Sequence, residues 1–196
     1  MIRAGDVLEN PISRETFVFT RTAADTNGDA LEFLTIVRPG GAAGNAGMVH
    51  IHPLQTETFV VRKGEIAVTL GGRERVYAAG ETAVVPAGTS HTWRNAHPTE
   101  DLEFVAEFRP ALHWEAIFES VFALVQMGRT RPDGSIPLLQ MAVTLHRYPD
   151  HYVLPAPSRW LQRALFALLS PLGRMMGYKA QYEYVRETPP HPGNLG

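Results

Sequence analysis

The feature that most constrains this chain is a change of period near Arg109. Before it, β-branched and aromatic runs at 16–20, 31–37, 58–61, 66–70, 82–86, 91–95 and 102–108 alternate with turn formers. These are Asn27-Gly28, Pro39-Gly40-Gly41, Lys63-Gly64, Gly71-Gly72, Ala79-Gly80 and Ala87-Gly88. Short runs bounded in this way read as strands, because Gly, Pro and Asn supply the special backbone angles that end pairing. Many strands at near-regular spacing predict a sandwich or barrel rather than alternating β/α units. From Trp114 the apolar residues fall at Trp114, Ile117, Phe118, Val121, Leu124 and Val125, with Glu115 and Glu119 off that stripe. That is helical spacing. Arg131-Pro132-Asp133-Gly134 breaks it, and Pro137 suits the first turn of a second helix carrying Leu138, Met141, Ala142 and Leu145. A link with Pro149, Pro155 and Pro157 leads to Ser158, which can cap a third helix bearing Leu161, Leu165, Leu168 and Leu172. The Pro- and Gly-rich stretch 188–196 is expected to fray.

The 196 residues suit one domain with additions, and 44% hydrophobic against 19% charged residues supports a buried core. A net charge of -2 gives no basic field for nucleic acid or an anionic membrane. Cysteine is absent, which excludes disulfides, thiolate metal sites and cysteine nucleophiles. The opening MIRAGDVLEN lacks a signal-peptide pattern, and the apolar run 164–172 is shorter than the about 20 residues a membrane span needs. A cytoplasmic location is the expectation.

Chemistry concentrates in two stretches. On a strand, residues two apart share a face, so His50 and His52 project together, about 7 Å apart at Cα. The connection 53–56 allows the chain to reverse and return Glu57 to the same side. Two imidazoles and a carboxylate converging from neighbouring strands suit a borderline-hard divalent metal. In the second stretch, a Pro86-Ala87-Gly88 turn delivers a strand beginning at His91, and an inward His91 turns Trp93 and Asn95 inward by the same period.

These residues resemble the cupin superfamily. Gly44, His50, His52, Glu57 and Gly64 match its first motif at every position, with four residues before the Glu. Gly80, Pro86, Gly88, His91 and Asn95 match its second, and fifteen residues separate the two motifs. The resemblance covers about 30–108. It implies a mainly β fold, the cupin double-stranded β-helix or jelly-roll barrel, over 1–110, with motifs at 44–64 and 80–95. Residues 111–187 would form a helical extension packed on the barrel or a partner subunit, which a minimal cupin lacks. It further implies that His50, His52, Glu57 and His91 ligate one divalent transition metal (Fe, Mn, Ni or Zn). Glu57 would stay a ligand or swing out as a catalytic base.

Met48, Phe59 and Trp93 share strand faces with these residues and either line a pocket or fill the core. Asn95 either supports the site or closes a turn. The glycines at 40, 41, 44 and 47 precede a His-x-His strand rather than a helix, so they read as turn positions and not as a phosphate loop. His97, His113, His146, His151 and His191 fall outside the motifs and read as structural or exposed. The expected function is a metal-dependent enzyme acting on a small molecule, with a quercetinase-like dioxygenase as first reading. The alternatives are an isomerase or lyase on a sugar or keto acid, and a non-catalytic ligand-binding module. The helices are expected to form a homodimer contact, cover the barrel mouth, or lie on a membrane surface, the last being the least favoured.

Overall fold

The computed structural model describes residues 1–41 and 48–186. The motif glycine Gly44 and the tail 188–196 lie outside the described residues. Among the described residues ten strands and three helices follow in order. The strands are β1 Val7–Asn10, β2 Glu15–Arg21, β3 Leu31–Val37, β4 His50–Ile51, β5 Thr56–Lys63, β6 Glu65–Leu70, β7 Arg73–Ala78, β8 Thr82–Val85, β9 Ser90–Asn95 and β10 Leu102–Arg109. The helices are α1 Trp114–Gln126, α2 Leu138–Arg147 and α3 Arg159–Met175.

The strands form two antiparallel sheets. One has the order β1-β2-β3-β10-β5-β8 and the other β4-β9-β6-β7. Alternation along β3 and β10 buries Leu31, Phe33 and Val37 against Leu102, Phe104, Ala106 and Phe108, which builds one continuous core between the sheets. This is the mainly β jelly-roll arrangement expected from the motifs, with helices following it in sequence. Gly64 illustrates why a motif glycine is required: its φ is +72°, and a Cβ there would lie 2.5 Å from the Asp101 carbonyl.

Every strand read from the sequence is present, and two more appear. β1 is only four residues, and β7, Arg-Glu-Arg-Val-Tyr-Ala, is mostly charged and exposed. It pairs with β6 through its backbone, so its side chains carry little strand signal.

The helices depart from expectation in detail. Pro137 has an extended ψ of 143° and precedes α2 rather than occupying its first turn. Ser158 stands at the start of α3, but its side chain makes no cap bond; its carbonyl accepts from Gln162 N. Glu119, off the apolar stripe, is nevertheless buried, because Arg186 crosses α1 and pairs with it at 3.0 Å. The leucine stripe of α3 faces outward, with Leu161 43%, Leu165 39%, Leu168 75% and Leu172 48% exposed. α3 instead turns Gln162, Phe166, Ser170 and Gly173 inward. Two contacts select that face. The Gln162 amide bonds to Leu154 and Pro157, and Gly173 lets α2 approach to where a Cβ would meet Val143 at 2.7 Å. Among the described residues no helix is long and apolar enough to cross a membrane.

Candidate metal centre

The strands bring His50, His52, Glu57 and His91 together although the sequence separates them by up to 41 positions. β4 pairs with β9 so that His50 stands directly opposite His91, while Glu57 enters from the other sheet opposite Val85 of β8. All four side chains are buried, and one donor atom from each lies within 4.8 Å of all the others.

Each imidazole is fixed from behind. Nδ1 of His50 bonds to the Met48 carbonyl at 2.7 Å, Nδ1 of His52 to the His151 carbonyl at 2.9 Å, and Nδ1 of His91 to the Thr89 carbonyl at 3.0 Å. A carbonyl only accepts, so each Nδ1 donates its hydrogen and each neutral ring turns an Nε2 lone pair inward. This backing is the arrangement that orients metal-bound histidines.

The inward atoms crowd one another. Nε2 of His50 lies 3.1 Å from Nε2 of His52, and Oε2 of Glu57 lies 3.3 Å from Nε2 of His52 and 2.9 Å from Nε2 of His91. With neutral rings these contacts set acceptor against acceptor, which a shared cation reverses into attraction. Twice a metal–nitrogen distance of about 2.1 Å is about 4.2 Å, so a small contraction completes a coordination sphere. The donor set fits a divalent transition ion.

Protonation follows the same logic. Burial alone would raise the Glu57 carboxyl, but in the metal-free site an Nε2 of the adjoining His52 or His91 ring that carries a proton in place of the ion donates to it, and this outweighs burial and holds the group down at about 2. Burial, reinforced by the neighbouring His52 and His91, lowers His50 to about 3. His91 is raised, since its bond to Glu57 and that carboxylate's charge overcome a burial effect of opposite sign. His50 is therefore a neutral donor across the physiological range.

His50, His52 and Glu57 open onto a cavity of ≈ 180 Å³, with His91 buried behind them. Met48, Phe59 and Trp93 line it with His50, His52 and Glu57, as do Phe17, Phe33, Phe104, Phe108, Trp114 and Phe118. Asn95 does not line it. Its amide donates to the carbonyls of Val37 and Glu100 and accepts from His97 N, so it braces the turn after β9. The alternation that carries His91 and Trp93 inward ends at that turn.

Three contributors have no sequence signal. The link after α2 returns to the site, where Val153 and Ile51 exchange backbone bonds at 2.9 and 3.0 Å. This places the His151 carbonyl behind His52 and stacks Tyr152 on His50 at 4.9 Å. The His151 ring itself accepts from His113 N at 2.9 Å. Trp114 packs edge-on against His52 and donates to Gln55, which is fully buried. The helical region therefore supplies part of the wall around the histidines.

Residues 33–106 match a family model described as Cupin domain, so this stretch is a cupin domain. The chain is similar to quercetin 2,3-dioxygenase of Bacillus subtilis (strain 168), at 33% identity over 86 residues, covering 41% of this chain and 25% of that protein. It is also similar to oxalate oxidase 1 of Hordeum vulgare, at 40% identity over 67 residues, covering 30% of this chain and 33% of that protein. The matches thus span a third or less of these relatives. Among solved structures, KdgF from Halomonas sp. aligns with a TM-score of 0.47 at 18% identity, over 58% of this chain and 94% of that one. A predicted oxalate decarboxylase from Thermotoga maritima aligns with a TM-score of 0.47 at 21% identity, over 56% and 98%.

Proposed function

We propose that this cupin-domain protein holds one divalent transition metal through His50, His52, Glu57 and His91 and is a dioxygenase-like enzyme acting on a small, largely apolar organic molecule. The observation that carries the reading is the convergence of four buried donors, the three imidazoles each backed by a carbonyl, beside an aromatic cavity that His50, His52 and Glu57 line. When bound, such an ion supplies an electrophilic centre with positions left for a substrate oxygen and for dioxygen.

The chain's own residues do the rest. The backing carbonyls of Met48, Thr89 and His151 hold the three rings in one tautomer. Glu57 brings a negative charge into the site, and in this reading its carboxylate also takes a proton from a substrate hydroxyl. Phe33, Phe104, Phe108 and Trp114 keep the cavity apolar, which excludes water from a reactive substrate.

The lining also separates the readings. Among the described residues it contains neither Arg nor Lys, so a sugar phosphate or a small dicarboxylate would find no counter-charge beyond the metal. That disfavours isomerase or lyase chemistry on polar substrates. The likeness to the quercetin dioxygenase supports the oxygen-dependent reading.

The test is oxygen uptake by metal-replete protein against phenols, diketones and hydroxy acids. Uptake that depends on substrate and disappears in Glu57→Ala supports the proposal. Conversion without oxygen consumption would establish the isomerase or lyase alternative, and tight binding without conversion a binding module.

A further inference from the structure

The cavity has a second polar end. Glu15, Ser13 and Thr35 line it alongside the aromatic residues, well away from the histidines in the sheet. The register gives the separation. Glu57 stands opposite Phe108, which stands opposite Leu31 on β3. Thr35 lies four residues further along β3, and Glu15 is paired with Val37, six residues further. That is about 13 to 20 Å along the strands.

What marks this end is the state of its atoms. Glu15 Oε1, Ser13 Oγ and Thr35 Oγ1 are buried with no hydrogen-bond partner among the described residues. They are three of the six such side-chain atoms found there. Isolated buried orphans are rare, and three meeting on one cavity wall are rarer still. The loop that carries Ser13 is itself well braced, since Asn10 Oδ1 accepts from Ile12 N at 3.0 Å and Ser13 N at 3.1 Å. Burial pushes the Glu15 carboxyl up to about 7, and the Ser13 hydroxyl, close to it but outside hydrogen-bond geometry, pulls the other way. A carboxyl poised there can give as well as accept a hydrogen bond.

We infer that Glu15, with Ser13 and Thr35, forms a specificity pole that fixes a hydroxyl group at the far end of a slender, mostly apolar substrate. The inference rests on the reading that the opposite end of that substrate meets the metal centre. A hydroxyl is the group that both donates and accepts, as these three side chains require together. The cavity volume sets the girth. A cavity of about 150 Å³ accepts benzene, so ≈ 180 Å³ holds one ring with a narrow extension and not a fused polycycle.

The experiment measures, by calorimetry on the metal-containing protein, the affinities of 4-butylphenol and 4-(4-hydroxybutyl)phenol. These share a ring and chain and differ in the terminal hydroxyl. The wild type is expected to bind the hydroxylated probe about tenfold more tightly, the worth of a hydrogen bond to a buried polar group. Glu15→Leu should reverse that preference, and Glu15→Gln, which keeps the shape, should reduce it and serves if the leucine variant does not fold. Equal affinities in the wild type, preference for 4-butylphenol, binding of neither, or a preference unchanged in both variants would overturn the inference. Metal content is measured on the same samples. A wild type without metal would overturn the reading of the His50 group, while the ratio between probes would still report on Glu15.

Discussion

Glu57 and Glu15 are both buried carboxylic acids on the wall of one cavity, yet their environments drive them apart. Glu57 stands beside the His52 and His91 rings, which hold it down at about 2 against the effect of burial. Glu15 has one oxygen with no partner, and burial carries it up to about 7. Burial is common to both, so the difference lies in the partners. A carboxylate grouped with imidazole lone pairs is prepared for a cation, and one facing unpartnered hydroxyls is prepared for a neutral polar group.

The largest expected effect breaks the comparison at Glu57. Glu57→Ala leaves three converging lone pairs without a charge, and metal affinity should fall by more than about 100-fold, since even removing a supporting partner costs up to about that much. Elemental analysis against the wild type checks this. The next effect concerns Glu15 and its pH sign. A raised carboxyl in the folded state means that the native protein binds the proton more tightly than the unfolded chain does. Its contribution is therefore favourable below about 4.5 and is lost as pH rises through about 7, by about 3 kcal/mol in all. Glu15→Gln should gain that amount over wild type between about pH 5 and pH 8 in urea titrations. Glu57 in the metal-free protein has the opposite sign. Its stabilisation is present above about 4.5 and is lost as pH falls toward about 2.

A smaller effect sharpens the account of the wall. Trp114→Phe keeps the ring against His52 but removes the donor to Gln55, leaving a fully buried amide oxygen unpartnered. It should cost about 1–3 kcal/mol in thermal unfolding. The smallest belongs to a third carboxylate, Glu74, which pairs with Arg94 at 2.8 Å on the surface. Arg94→Ala should change stability by less than about 1 kcal/mol, because solvent screens an exposed pair. A stability loss from Arg94→Ala as large as that from Trp114→Phe would undo the contrast.

The two poles also differ in how far the sequence reveals them. Local period and turn residues bring His50, His52 and Glu57 together in the sequence, and the resemblance to the two cupin motifs adds His91. Glu15 opens a strand where a glutamate ordinarily faces solvent, and only the pairing of β2 with β3 turns it inward. His151 and Tyr152 lie in a Pro-rich link without a motif, and they reach the site through the bridge between Val153 and Ile51, about a hundred residues apart. The leucine stripe of α3 misled for a related reason. Periodicity marks an apolar face but not whether a neighbour covers it, and here Gly173 and Gln162 decide the packing. Long-range pairing and close helix approach are properties of the assembled fold, which short-range spacing does not encode.

The most direct test of the central claim is elemental analysis of wild type and His91→Ala, each purified without added metal or chelating resin. The account predicts about one equivalent of a divalent transition metal per wild-type chain and a small fraction of that in the variant, because loss of one donor also frees Glu57 from its partner. A wild type without metal, or a variant that keeps a full equivalent, would contradict it.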